Sequence, residues 1–373
     1  MSGIARFFFK MLILAAMLLG LPLAGVFLAG YPVSRYLEFP PKIHYIRHAP
    51  FSWAAFGLYA FLILACLTPF ILKAFSSTRR VESPIRRLKP FPWWGWLGVI
   101  LTVFAWILAW TRFPWFAGFQ PHTFTPLWAA FILVINGLCY RQSGHCMMLE
   151  RPVFFLLLFP ISSAFWWFFE YLNRFVQNWY YIGPELSASQ YFWYATLPFS
   201  TVLPAVLGVR DWLISSRWLH RKFDRFWPLS TDFPKALAAL TLTLSACALA
   251  AIGIWPNIFF PLLWVAPLLI ILSLQGLLSE PHILSGLSEG NWSEVVAAAL
   301  AAIICGLFWE TWNYYSLAKW KYVIPYVQRF PIFEMPLLGY AGYLPFGLEC
   351  AAVGRLVAGV GAGIQAKKHS THL

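Results

Sequence analysis

Phe165-Trp166-Trp167-Phe168-Phe169-Glu170-Tyr171-Leu172-Asn173 and Cys305-Gly306-Leu307-Phe308-Trp309-Glu310-Thr311-Trp312-Asn313 are two versions of one segment. Each is an aromatic run with a glutamate inside it and an asparagine three residues later. The likeness extends downstream, where Trp179-Tyr180-Tyr181 with Pro184 matches Trp320-Lys321-Tyr322 with Pro325. Phe192 then matches Phe333, and Val202-Leu203-Pro204 matches Tyr343-Leu344-Pro345. Upstream, Phe91-Pro92 matches Phe233-Pro234, Trp128 matches Trp264, and Asn136-Gly137-Leu138 matches Gln275-Gly276-Leu277. All keep one order at an offset of roughly 140 residues, the pattern left by an internal repeat.

The surroundings of these segments place them in a bilayer. Of 373 residues, 60% are hydrophobic and only 11% are charged, against about a quarter in a soluble domain. Apolar stretches of about 20 residues, enough to cross a membrane as a helix, recur along the whole chain. The spacing predicts spans at 7–29, 52–72, 93–110, 125–140, 153–175, 190–209, 236–254, 257–278, 293–314 and 332–353. The first is too long for the apolar core of a signal peptide and reads as a retained span or signal anchor. The fold class is therefore an all-α polytopic membrane protein with about ten transmembrane helices. Residues 1–90 form a two-span segment ending in a basic cytoplasmic loop. Residues 91–232 form the first four-helix repeat, and 233–373 the second with a short tail. An even number of spans per repeat makes the two copies parallel, related by a pseudo-two-fold axis along the membrane normal.

The net charge of +13 does not point to nucleic acid, because Lys and Arg sit in short loops between apolar spans. With both termini inside the cell, 19 basic residues fall on the cytoplasmic side and 8 outside, as the positive-inside rule requires of an inner-membrane protein. The runs Arg79–Lys89 and Arg217–Arg225 read as loops facing anionic headgroups, so membrane lipids are the partner of this charge. The six cysteines lie in or beside apolar runs without paired spacing and read as small buried hydrophobes.

Glu170 and Glu310 carry the strongest functional signal. A carboxyl group inside a span costs about 2.5–3.5 kcal/mol on insertion scales, so its retention asks for a reason. Asn173 and Asn313 follow at i+3, on the same helix face as each acid. One reading is a site between the repeats; the other is a structural clamp in which each Glu accepts hydrogen bonds from an indole or a backbone N–H. The copies also diverge: Glu334 and Glu349 stand where the first has Trp193 and Gly208. Glu334 is expected at the outer start of the last span, and Glu349 some four turns deeper, where Arg355 is a possible partner. Trp179, Tyr180, Tyr181, Trp320, Tyr322 and Tyr326 read first as an interfacial belt. However, 21 Trp exceed what belts require, and Trp309, Trp320, Tyr322, Trp179 and Tyr181 are candidates for binding a substrate, with Glu349. Aromatic faces stabilise cations by about 0.5–2 kcal/mol each. An apolar cavity lined by rings and holding a protonated acid suits carbocation chemistry.

Trp320-Lys321-Tyr322 in a loop, followed by Phe333-Glu334-Met335-Pro336, resembles the lycopene cyclase-type integral membrane cyclases. The likeness covers Phe308–Glu349 and, more faintly, Phe168–Pro204. In place of that family's Pro-x-Glu-Glu, Glu334 precedes Pro336 and Leu337-Leu338 follow it. The resemblance implies a small helical repeat whose acids protonate a polyene. No DxxxD pair, HExxH, GxSxG or Walker loop is present, the histidines are scattered, and no motif points to a cofactor or a metal. The leading expectation is an integral membrane enzyme acting on an apolar isoprenoid or lipid by acid–base chemistry. Glu310 is its proton donor, with Asn313, Glu170, Asn173 and Glu334 assisting. The alternatives are a transporter or ion pathway using the same carboxylates between repeats, and a structural or assembly subunit of a membrane complex.

Overall fold

Proline and glycine divide the apolar stretches into helices whose ends are capped by the side chains beside them. The computed structural model describes residues 3–41, 44–76, 88–230 and 234–370, with side chains only between 9 and 358. Arg79, Arg80, Arg86 and Arg87 of the basic run, and Phe233 of the repeat pattern, lie outside the described residues. The first helices are α1 (Gly3–Leu28), α2 (Trp53–Phe75), α3 (Trp93–Trp110), α4 (Phe124–Ser143) and the one-turn α5 (Met147–Glu150). Then come α6 (Pro152–Val176), strand β1 (Trp179–Ile182), α7 (Ala188–Phe199), α8 (Val202–Ile214) and α9 (Arg217–Phe223). The chain continues with α10 (Lys235–Ala251), the one-turn α11 (Pro256–Phe259), α12 (Ala266–Leu277) and α13 (Ser293–Tyr314). It closes with β2 (Lys319–Tyr322), β3 (Pro331–Ile332), β4 (Met335–Pro336) and α14 (Tyr343–Ser370). Pro152 starts α6 at a position where its missing N–H costs nothing, and Gln177 ends it in a left-handed conformation at φ 48°. Ser187 and Gln190 close a reciprocal capping box at the start of α7.

The protein is mostly helical and integral to a membrane: among the described residues, seven helical segments are long and apolar enough to cross one. They are Phe9–Leu28, Trp53–Phe75, Trp93–Trp110, Gln120–Ser143, Pro152–Val176, Ala188–Ile214 and Ser293–Tyr314. Three expected spans depart from a straight crossing. The one at 257–278 is broken into Pro256–Leu263 and Ala266–Leu277 with a 54° bend, because Pro256, Pro261 and Pro267 remove successive backbone donors. The one at 236–254 is the shorter helix Lys235–Ala251. The one at 332–353 begins only at Tyr343. Pro331 and Pro336 interrupt it, and Phe330 and Phe333 adopt positive φ to turn the chain into the β3–β4 hairpin.

Helices α8, α13 and α14 pack together at the centre. Ala297, Ala298, Ala301 and Ala302 give α13 a buried face of small side chains, which lets backbones approach. The approach is close enough that a Cβ on Gly347 of α14 would sit 2.1 Å from the Ala298 carbonyl oxygen. No residue of α2 is buried, so it stands at the periphery against the turn before α14 and against α9. At one end of the bundle, β1 and β2 pair antiparallel, with Trp179 opposite Tyr322, Tyr180 opposite Lys321 and Tyr181 opposite Trp320. The loops following the two aromatic runs are thus joined in one ribbon rather than being separate belt segments. Of the cysteines, Cys139, Cys146, Cys305 and Cys350 are buried as expected, whereas Cys66 and Cys247 lie on the outer surface.

Candidate functional site

Glu170 lies in the last two turns of α6, Glu310 in the last two of α13, and both side chains are buried. Glu170 Oε1 accepts hydrogen bonds from the indoles of Trp166 and Trp179, each at 3.0 Å, and from the Tyr181 hydroxyl at 2.5 Å. Glu310 Oε1 accepts from the hydroxyls of Tyr322 at 2.6 Å and Tyr343 at 2.9 Å. The Trp320 indole reaches this acid through Tyr322, donating to the phenol oxygen at 2.7 Å. Glu310 Oε2 has no partner among the described residues. Burial, followed by the nearby carboxylate, pushes the phenols of Tyr181 and Tyr322 well above their ordinary range, which keeps both as donors.

Asn173 and Asn313 do something different. The Asn173 amide donates to the Trp179 carbonyl at 2.8 Å, and its oxygen accepts from the Asn178 N–H at 2.9 Å. The Asn313 amide donates to the Trp320 carbonyl at 2.8 Å and accepts from the Trp320 N–H at 2.9 Å. Each amide therefore ties the start of a strand to the end of the preceding helix. That places Trp179 and Tyr181 over one acid and Trp320 and Tyr322 over the other.

The donors to both acids line one cavity of about 1300 Å³. Trp166, Trp179, Tyr181 and Trp264 line it together with Trp309, Trp320, Tyr322 and Tyr343. Phe346 of α14 touches the rings of both Trp166 and Trp309, at 5.6 and 6.2 Å between centroids, and those two indoles lie 6.3 Å apart. Glu170 and Glu310 are not part of the wall and do not hydrogen-bond to each other; the phenols and indoles stand between each acid and the cavity. Lys319 is a cation of the wall, and its charge is matched by Glu334 at 2.5 Å.

That ion pair corrects the position expected of Glu334. It lies in the β3–β4 turn rather than at the start of a span, and its partner on β2 ties that turn to the ribbon. Glu349 is fully buried away from the cavity, where its Oε1 accepts from the Leu268 N–H at 3.2 Å and its Oε2 is unpartnered. Leu268 is in the first turn of α12, so the acid caps one of the donors left open at that helix start. The suggested pairing of Glu349 with Arg355 is not formed. Arg355 instead grips Glu294 through Nε and Nη2 and donates to the His282 carbonyl, while Arg210 and Arg151 share Asp211.

No family model, curated protein or solved structure matches the chain.

Tyr343, Lys319 and Gly306 were not singled out by sequence reasoning. Tyr343 was visible only as one member of an aligned Tyr-Leu-Pro triplet. Its partnership with Glu310, 33 residues away, needs the helix packing to appear. Among the described residues no group of three or more His, Cys, Asp or Glu side chains gathers where a metal could be held.

Proposed function

We propose that this chain is an integral membrane enzyme that takes an apolar isoprenoid or lipid into the ring-lined cavity and works on it by acid–base chemistry, with Glu310 as the proton store. The observation that carries the reading is the cavity itself. Its volume exceeds the roughly 300–1000 Å³ of ordinary small-molecule pockets, and its walls are mostly apolar, with aromatic rings among them. Five indoles and six phenols in the lining suit a long unsaturated chain and a transient cation. With Lys319 neutralised by Glu334, the wall favours an uncharged substrate over a phosphorylated one. The unpartnered Oε2 of Glu310 suits a carboxyl that carries its proton there while Oε1 accepts the two phenols.

The same reading includes the duplication. Two parallel four-helix repeats after two N-terminal spans, ten spans in all, bring the cavity to the interface between copies. The antiparallel β1–β2 register supports it, because exchanging the halves maps the pair Trp179–Tyr322 onto Trp320–Tyr181. Both termini face the cytoplasm in this arrangement, and the ribbon faces outward.

The test is the lipid carried by the full chain after purification in mild detergent. Mass spectrometry should find one neutral lipid enriched over the bulk membrane, and Ala341→Trp, which fills the cavity wall, should lose it. Bulk phospholipid in membrane proportions, unchanged by that substitution, would defeat the reading. A second reading, a proton or cation pathway, draws on the deep, half-unpartnered carboxyl of Glu349. It requires proton flux into sealed proteoliposomes that Glu349→Gln abolishes.

A further inference from the structure

The cavity has two ends of different chemistry. One is built where the segment before α4 meets α7 and the start of β2. There the His122 ring packs on Tyr194 at 5.1 Å between centroids, and Phe124 packs on Trp320 at 5.4 Å. A Cβ on Gly183 would touch the Ala318 side chain at 3.4 Å, and the neighbouring Ile182 and Lys319 pair in the ribbon. All of these line the cavity, as does Thr125. Glu185 and Ser187, in the loop after β1, belong to the same lining and are exposed, so this end is the mouth on the loop side of the bundle.

The other end is built from α2, the break before α12 and the turn before α14. Tyr59 packs on Phe260 at 6.0 Å between centroids, and Trp264 lies 3.4 Å from where a Cβ on Gly342 would stand. Met335 and Ile324 close on Gly339, at 2.5 and 3.1 Å from its absent Cβ. Ile63, one turn beyond Tyr59 on the same face of α2, completes this lining. Phe260, Ile324 and Met335 are buried, and the polar groups here are the Tyr59 hydroxyl and Asn178, whose carbonyl accepts from the Val323 N–H beside Ile324. No residue of α2 is buried, so this end backs onto the bilayer.

The internal repeat makes the contrast specific. At its offsets His122 corresponds to Ile258, Thr125 to Pro261 and Tyr194 to Met335, so three polar side chains of the first half are apolar in the second. At the polar end, most hydrogen-bonding groups are already engaged. Lys319 bonds Glu334 and the Tyr314 carbonyl, and the Tyr194 hydroxyl bonds the Pro121 carbonyl. The His122 ring and the Thr125 hydroxyl have no hydrogen-bond partner among the described residues. A hydroxyl both donates and accepts, as does a neutral imidazole through its two nitrogens, and both match a ligand group that does the same. We propose that the cavity binds a lipid alcohol in one orientation, its hydroxyl at His122 and Thr125 and its chain along the ribbon toward Ile63, Phe260 and Met335. This rests on the proposed binding of a neutral lipid and adds which end of the cavity reads its polar group. Head at the mouth and chain toward α2 keep the ligand arranged as it lies in a bilayer leaflet.

The experiment uses the full chain in lipid nanodiscs and three photoreactive probes. Two are octadecanols with a diazirine either beside the hydroxyl or near the far end of the chain; the third is octadecane with a diazirine near one end. After irradiation and digestion, the head-side probe should label the segments holding His122 and Tyr194, and the far-end probe those holding Ile63 and Met335. In His122→Ile/Thr125→Val, which gives the mouth a second-half character, far-end alcohol labelling of the Ile63 segment should fall about tenfold. Octadecane labelling should be unchanged in that variant, which also shows its cavity to be intact. Exchanged or uniform label positions overturn the orientation, and equal alcohol labelling in variant and wild type overturns the head site; either result leaves cavity binding standing. Loss of octadecane labelling together with alcohol labelling in the variant also overturns the head site, because the two residues then support the cavity rather than read a hydroxyl. Absence of cavity labelling by all three probes in wild type overturns the binding reading and the orientation with it.

Discussion

The Asn313 side chain pairs with the Trp320 backbone in both directions, its amide donating to the carbonyl at 2.8 Å and its oxygen accepting from the N–H at 2.9 Å. The amide imitates a strand neighbour, and it fixes where β2 leaves α13. Asn313→Ala removes both bonds in a fully buried place and should cost about 1–3 kcal/mol. Asn313→Asp, which keeps the acceptor and loses the donor, should be destabilised through the Trp320 carbonyl alone or through a buried charge. Thermal unfolding in detergent measures both; an alanine variant as stable as wild type would show that the ribbon holds itself in place.

Glu349 is read as a cap on α12, and that reading has its own signature. Glu349→Gln keeps an oxygen that accepts from Leu268, whereas Glu349→Met leaves that N–H unsatisfied inside the bundle. The methionine variant should therefore be the less stable of the two, by about 1–3 kcal/mol. The opposite order, or a glutamine variant that is stable but functionally dead, would move Glu349 from support to chemistry.

Two loop histidines should subtract stability in mild acid. Burial is the leading cause that holds His48 and His282 below their ordinary value of 6.5; the neutral His48 ring pairs with the Val176 carbonyl at 2.9 Å. A group whose folded pKa is lowered contributes stability that is fully present above the unfolded value and is lost as pH falls through the folded one. The histidines' share of the melting temperature should thus be flat above about 6.5 and decline below it. His48→Gln should shallow that decline, and an unchanged slope would show that other groups set the acid limit.

Tyr180 and Lys321 face each other at the centre of the β1–β2 ribbon. Cysteines introduced at both positions should form an intramolecular disulfide under mild oxidant, since paired strand residues lie within disulfide reach. A lone cysteine at either position should react with an impermeant thiol reagent added outside the cell. No cross-link would break the ribbon and the junction of the halves; labelling only after permeabilisation would reverse the topology without touching the fold.

Glu170, Glu310 and their asparagines were legible as one-dimensional features, because a carboxyl inside an aromatic run is costly enough to stand out. Their roles were only half legible. The asparagines, expected beside the acids in a shared site, fasten backbone instead. Trp179 and Trp320 look equivalent in the sequence, yet one bonds its acid directly and the other bonds a tyrosine. Glu334, expected at a span start, sits in a hairpin turn because Pro331 and Pro336 forbid a helix there.

The amino-acid sequence by itself determined that this is a helical membrane protein, where most of its apolar segments lie, and which acids are out of place among them. These follow from local composition and spacing, since every stretch of about 20 apolar residues must answer to the bilayer wherever it falls. Only the tertiary structure decided which donors reach each acid, that Tyr343 fills the space left at Gly306, and that Arg355 binds Glu294 rather than Glu349. The longest of these contacts join residues 33 to 81 positions apart. Helix crossing and the bend between Leu263 and Ala266 set such distances, and no periodicity along the chain encodes them.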